Sequence, residues 1–90
     1  MRTSALLTSY RRDLKRCKKR GKPMEKMREA IVLLLSGQTL APRYRDHALS
    51  GDWVGHRECH IEPDWLLIYK IAGEEISLVR TGSHSDLFSA

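Results

Sequence analysis

Apolar residues near the start of the chain recur at helical spacing. Leu6, Leu7, Tyr10, Leu14 and Cys17 fall within one sector of roughly 100° when each residue advances by about 100°. The rest of that wheel is polar, which predicts an amphipathic helix, and Gly21 ends it as a residue tolerant of positive φ. Pro23 suits the first turn of a second helix, in which Met24, Met27, Ala30, Ile31, Leu34 and Leu35 share one face and Gly37 closes the pattern. The methionines read as core filling rather than a partner groove. With only Gly21 and Lys22 between them, the two helices are expected to form an antiparallel hairpin.

Gln38 to Asp52 holds Pro42, Gly51 and few apolar residues, and reads as a loop with at most one short strand. From Trp53 the period shortens. Trp53–Ile61 and Trp65–Ile71 read as strands around the turn signal Glu62-Pro63-Asp64, and Ile76–Thr81 follows a second turn at Gly73. Three strands with short connections make an antiparallel meander, one face of which the hairpin should cover. The expected class is α+β: an N-terminal helical hairpin packed on a small, mainly antiparallel twisted sheet, with residues 1–90 as a single domain.

Charge changes the reading of the first helix. The chain has 90 residues, 41% of them apolar and 30% charged, with a formal net charge of +5. Arg11, Arg12, Lys15, Arg16, Lys18, Lys19, Arg20 and Lys22 supply half of all Lys and Arg, against a single Asp13. A solvated helix face is the plain reading of such a run; the imbalance favours an electrostatic footprint for RNA, with Lys15, Arg16 and Lys19 as candidate phosphate contacts. Net charge by itself fits nucleic acid, an acidic protein or a membrane surface equally. The longest apolar run, Ala30–Leu35, is far too short to span a bilayer, and Met1–Leu7 does not read as a signal peptide. A cytoplasmic protein with reduced Cys17 and Cys59, and no membrane partner, is the expectation.

Candidate chemistry lies in the second half. Alternation places Val54, His56, Glu58 and His60 on one face and Gly55, Arg57, Cys59 and Ile61 on the other. RNA cleavage without a metal needs a base for the 2′-hydroxyl, an acid for the leaving 5′-oxygen, and cations for the charge building on phosphorus. His47, His60, His84, Asp64, Arg57, Arg80 and Phe88 supply that inventory, the aromatic ring by stacking on a base. Residue types alone make this a weak signal. A zinc set of His56, Cys59, His60 and His84 is disfavoured, because Cys59 and His60 are adjacent in a strand and point to opposite faces. No metal and no cofactor are expected.

Asp46-His47, Leu49, Gly51, Trp53, Arg57-Glu58, His60, Pro63-Asp64-Trp65-Leu66-Leu67-Ile68-Tyr69, Arg80-Thr81-Gly82-Ser83-His84 and Leu87-Phe88 closely resemble the YafQ-type toxins of the RelE/ParE superfamily. The match runs through the whole C-terminal half; the helical segment before it matches in pattern only. The resemblance implies a RelE-like microbial ribonuclease fold and a ribosome-dependent endoribonuclease that cuts mRNA by 2′-hydroxyl attack. It also implies a cognate antitoxin that covers the site. By motif, functional positions fall on His47, His60, Asp64, His84 and Phe88, with Arg57 and Arg80 facing RNA. His47 would act as general base and His84 as general acid, roles that could be exchanged; His60 and Asp64 would orient groups, and Phe88 would stack. His56 lies outside the motif. Family members open with a strand, whereas Met1–Leu7 is short and only weakly strand-like.

Two other readings use the same residues. One is a non-catalytic ParE-like toxin acting on gyrase, which lacks the histidine and acid set. The other is a basic RNA-binding module working through Arg11–Lys22, with steep salt dependence and no cleavage. An acidic antitoxin segment, the ribosome and mRNA are the expected partners, and any DNA contact is expected only through the antitoxin complex.

Overall fold

Five strands form one mixed sheet in the order β1–β5–β4–β3–β2, comprising β1 (Thr3–Leu6), β2 (His47–Ala48), β3 (Arg57–Glu62), β4 (Trp65–Ala72) and β5 (Glu75–Gly82). β1 runs parallel to β5 and the other pairings are antiparallel. The structure is a computed structural model describing residues 2–88, so Met1, Ser89 and Ala90 of the expected 1–90 span lie outside the described residues. Helices α1 (Thr8–Lys19) and α2 (Met24–Leu35) pack on one face, and the short α3 (His84–Phe88) follows β5. The α+β class and the central meander agree with the expectation from pattern.

The opening segment does not. Leu6 belongs to β1 and Leu7 is the residue before α1, so neither sits on the helix. Backbone bonds explain the difference: Thr3 N–H donates to Glu74 O at 2.8 Å and Leu7 N–H to Leu78 O at 3.2 Å, extending β5's edge. A strand that runs straight into a helix leaves two adjacent leucines that fit either period. The end of α1 follows the pattern closely. Gly21 has φ +81, its amide donates to Lys18 O and that of Lys22 to Cys17 O, the paired bonds of a left-handed helix stop.

Trp53–His56 also differs from expectation, since Gly51–Trp53 forms a 3₁₀ turn and the strand begins at Arg57. Val54 and His56 donate to Gly51 O and Trp53 O, so local turn bonds replace ladder bonds there. β4 is buried on both faces. Trp65, Leu67 and Tyr69 join Tyr10, Cys17, Met27, Ala30 and Leu34 in the helix-side core. Leu66 and Ile68 point the other way and pack with Leu87 of α3, beside Leu49, Trp53 and Val79. This second, smaller core anchors α3 on the outer face.

Candidate active site

α3 is held at three points. Leu87 fills the outer core, and Gly82 allows the chain to turn tightly, because a Cβ there would lie 2.9 Å from the Asp86 side chain. Asp86 accepts from Arg20 at 2.7 Å and from the Ser83 amide at 2.9 Å, with Arg16 at 3.7 Å. The Arg20 hydrogen bond, followed by that of the Ser83 amide, holds the Asp86 carboxyl well below the usual carboxylate range.

Alternation along β3 sends Cys59 and Ile61 into the helix-side core and turns Glu58 and His60 to the outer face. β2 sets His47 directly opposite Glu58, and α3 brings His84 and Phe88 alongside. The result is a row of rings with centroid separations of 6.3 Å for His47–His60, 5.7 Å for His60–His84 and 6.3 Å for His84–Phe88. Phe88 is 41% exposed, an apolar ring left open to solvent at the end of a polar row.

Hydrogen bonds orient each ring. His84 Nδ1 lies 2.7 Å from Asp64 Oδ1, and the His84 backbone amide donates to the same oxygen at 2.9 Å. Those two bonds, the backbone one foremost, lower the Asp64 pKa and keep it a carboxylate. His60 Nδ1 faces the Pro63 carbonyl at 3.2 Å; a carbonyl only accepts, so this nitrogen is the donor. His47 differs. Its Nδ1 faces Arg45 O at 2.6 Å and its Nε2 faces Glu58 Oε2 at 3.0 Å, so both nitrogens meet acceptors. Two acceptors on one ring set His47 apart from His60.

The row brings together His47, His60, Asp64, His84 and Phe88. Arg57, Arg80 and Arg16 each have an acidic partner within the fold. Arg57 stands opposite Tyr69 on the helix-side face and donates to Asp46 at 3.1 Å, while the Tyr69 hydroxyl donates to the other Asp46 oxygen. It braces the Asp46-His47 corner rather than facing the row. Arg80 is taken up by Asp13, with Nε at 2.5 Å and Nη2 at 3.3 Å. Arg16 also donates to Asp13, at 3.2 Å, with its side chain 35% exposed. Lys15 and Lys19 remain exposed and carry no ion pair among the described residues. Asp13, read from sequence as a lone acid on a cationic face, is 2% exposed and also accepts from the Thr81 amide.

Glu58, outside the candidate set read from sequence, also belongs to the row. It is 5% exposed, touches His47, and its Oε1 is buried with no hydrogen-bond partner. The signal was present, because alternation already put it on the His60 face. His56 packs edge-on against Trp53 at 5.3 Å, outside the row.

The zinc set considered from sequence does not assemble. Cys59 is fully buried and burial pushes its thiol up to about 12, which removes it as a thiolate. Another set does: Glu58, His60 and His84 offer donor atoms within 4.8 Å of one another. Two imidazoles and a carboxylate suit a borderline cation such as Zn²⁺ or Cu²⁺, and the orphaned Glu58 oxygen adds to the fit.

Comparison with known proteins places this geometry. A crystal structure of a copper-bound mutant toxin from Helicobacter pylori superposes with a TM-score of 0.93 at 39% identity, covering 98% of this chain and 100% of that one. The E. coli DinJ–YafQ toxin–antitoxin complex contains a chain that superposes with a TM-score of 0.90 at 39% identity, with 98% of each chain covered. The protein named mRNA interferase toxin YafQ in E. coli strain K12 is 42% identical over 80 residues, 88% of this chain and 87% of that protein. Fold and site thus define the class of small α+β bacterial toxins that act as endoribonucleases. A family model described as bacterial toxin of type II toxin–antitoxin system, YafQ, matches residues 2–89, and the chain belongs to that family. It is an mRNA interferase toxin of a toxin–antitoxin module, as the resemblance implied. The ParE-like and plain RNA-binding readings give way to this one.

Proposed function

We propose that this toxin, acting as one domain over residues 1–90 in the cytoplasm, cuts mRNA on the ribosome by 2′-hydroxyl attack, with the histidine row as its catalytic centre. The observation that carries the proposal is the different hydrogen bonding of the three rings. His60 holds its proton at Nδ1 and presents a lone pair at Nε2, so it takes the 2′-hydroxyl proton. His84 is oriented by Asp64, whose charge offsets that of a doubly protonated ring, and its Nε2–H protonates the leaving 5′-oxygen. His47, bonded at both nitrogens, contributes positive charge beside the phosphorus, with Glu58 fixing its ring. Phe88 stacks on a base and aligns the attack. These proton transfers need no cofactor and no metal, and the products are a 2′,3′-cyclic phosphate and a 5′-hydroxyl.

Five cations of α1, Arg11, Arg12, Lys15, Lys18 and Lys19, carry no ion pair among the described residues and form the face for ribosomal RNA. The antitoxin supplies an acidic amphipathic segment. A groove of about 510 Å³ between α1 and α2, lined by Leu6, Leu14, Met24 and Ile31 and rimmed by Arg11, Lys15, Lys18 and Arg28, has the matching character. No helix among the described residues is long and apolar enough to cross a membrane.

The test is a ribosome-bound message carrying a 5′-bridging sulfur at the scissile linkage, since a thiolate leaves without protonation. His84→Ala should regain most of its lost rate on this substrate and His60→Ala should not. Rescue of His60→Ala alone would reverse the two roles. A 5′-phosphate product would overturn the proton-transfer scheme.

A further inference from the structure

β2 covers β3 only at Arg57 and Glu58, so the edge of β3 beyond Glu58 is left without a partner strand. A cleft of about 420 Å³ opens there, lined by Lys26, Arg43, Arg45, His60, Glu62 and Pro63, with Ile61 at its base. It adjoins the catalytic row through His60, and the backbone carbonyl of its Arg45 contacts His47, the ring at the other end of the row from Phe88. Among the described residues, the Arg45 guanidinium has no acidic partner. Glu62 is neutralised by Lys22 at 2.9 Å and Lys26 at 3.1 Å, and those bonds lower its pKa. Arg43 lies over the Tyr44 ring and 3.6 Å from exposed Glu29. The cleft is therefore cationic, and Arg45 is its uncommitted charge.

Arg45 is also the one non-glycine residue with positive φ among those described, at φ 47 and ψ 42. Such a conformation is uncommon in a residue with a Cβ and clusters at functional segments. Here it has two effects. It aims the Arg45 carbonyl at His47 Nδ1, and it leaves the side chain in the cleft beside His60.

We propose that this cleft is a nucleotide subsite, in which Arg45, assisted by Arg43, binds a backbone phosphate of the RNA on the side of the scissile bond opposite the base stacked on Phe88. Phe88 and Arg45 then grip the strand at the two ends of the row and hold the scissile phosphate over His60 and His84. This rests on the row being the cutting centre. Arg45 is a binding residue, and its loss should leave the pH dependence set by the histidines unchanged.

The experiment pairs single methylphosphonate substitutions, which remove one phosphate charge, with Arg45→Gln and Arg43→Gln in single-turnover cleavage of ribosome-bound message. Gln keeps the backbone carbonyl that holds His47. For wild type, one flanking methylphosphonate should lower the rate at subsaturating toxin by about tenfold, the scale of one charge-assisted hydrogen bond. Arg45→Gln should lose about tenfold on normal RNA, with an unchanged pH profile and melting temperature, and should lose nothing more at that position. Penalties that multiply at every phosphate would overturn the subsite. So would unaltered cleavage together with weakened antitoxin binding, which would assign the cleft to an acidic protein segment. The His84 and His60 rescue results bear on the catalytic roles alone, whereas coupling between Arg45 and one phosphate is read independently of them.

Discussion

Removing the Asp13 carboxylate should be among the most damaging single changes outside the row. This side chain is 3% exposed and gathers Arg80 Nε at 2.5 Å, Arg80 Nη2 at 3.3 Å, Arg16 Nη2 at 3.2 Å and the Thr81 amide at 3.2 Å. It ties α1 to the end of β5 just before α3. Asp13→Asn leaves two guanidinium groups without their counter-charge and cannot accept all four bonds. Breaking a buried pair by removing one partner costs about 3–5 kcal/mol. The lower end applies, because the Arg80 and Arg16 side chains are 28% and 35% exposed and recover some hydration. For a chain this short, about 3 kcal/mol corresponds to a fall in Tm of roughly 12–24 °C. Urea unfolding followed by circular dichroism at pH 7 measures it. In a double-mutant cycle, Asp13→Asn and Arg80→Gln should couple strongly, the second change costing far less once the first is made. A loss below about 1 kcal/mol, the value of an exposed surface pair, would refute the claim that Asp13 is an internal anchor.

Two further outcomes follow from the site. Asp86 has a lowered folded-state pKa, so its stabilisation is present above the ordinary carboxylate value of about 3.9 and is lost as pH falls through the folded value. Asp86→Asn should therefore be less stable than wild type at pH 7, by about 1 kcal/mol since Arg20 is half exposed, and the gap should narrow by pH 2.5; an equal gap at both pH values would contradict the assignment. Zn²⁺ or Cu²⁺ bound at Glu58, His60 and His84 would occupy the nitrogens that move protons. Cleavage should fall as the site fills in calorimetry and return when a chelator strips the ion, and full activity at saturation would separate the metal set from the cutting set.

Much of this protein is determined locally. The 3.6-residue apolar period made α1 and α2 legible, Gly21 and Gly37 marked their ends, and Pro63-Asp64 marked the β3–β4 turn. Local chemistry also decided that Cys59 and His60 part to opposite faces, because that follows from pleating alone. The motif around His47, His60, Asp64, His84 and Phe88 named the candidate site residues. Their arrangement was another question. Charge in the sequence counts Arg20 and Lys22 with Lys15 and Lys19, yet the first two are engaged by Asp86 and Glu62, acids that the fold brings from 66 and 40 residues away.

Register was equally nonlocal. Only the pairing of β2 with β3 places His47 on Glu58, and only the packing of Leu87 on Leu66 and Ile68 brings His84 beside His60. The same strand places Arg57 within reach of Asp46. Periodicity and turn chemistry act over a few residues and are written in the chain, whereas the partner of a charge, and the face a short segment shows, are settled by contacts between segments far apart in sequence. The sequence alone therefore determined the elements and the set of reactive side chains. The tertiary structure decided which cations are left without an acidic partner and which atoms each ring nitrogen faces.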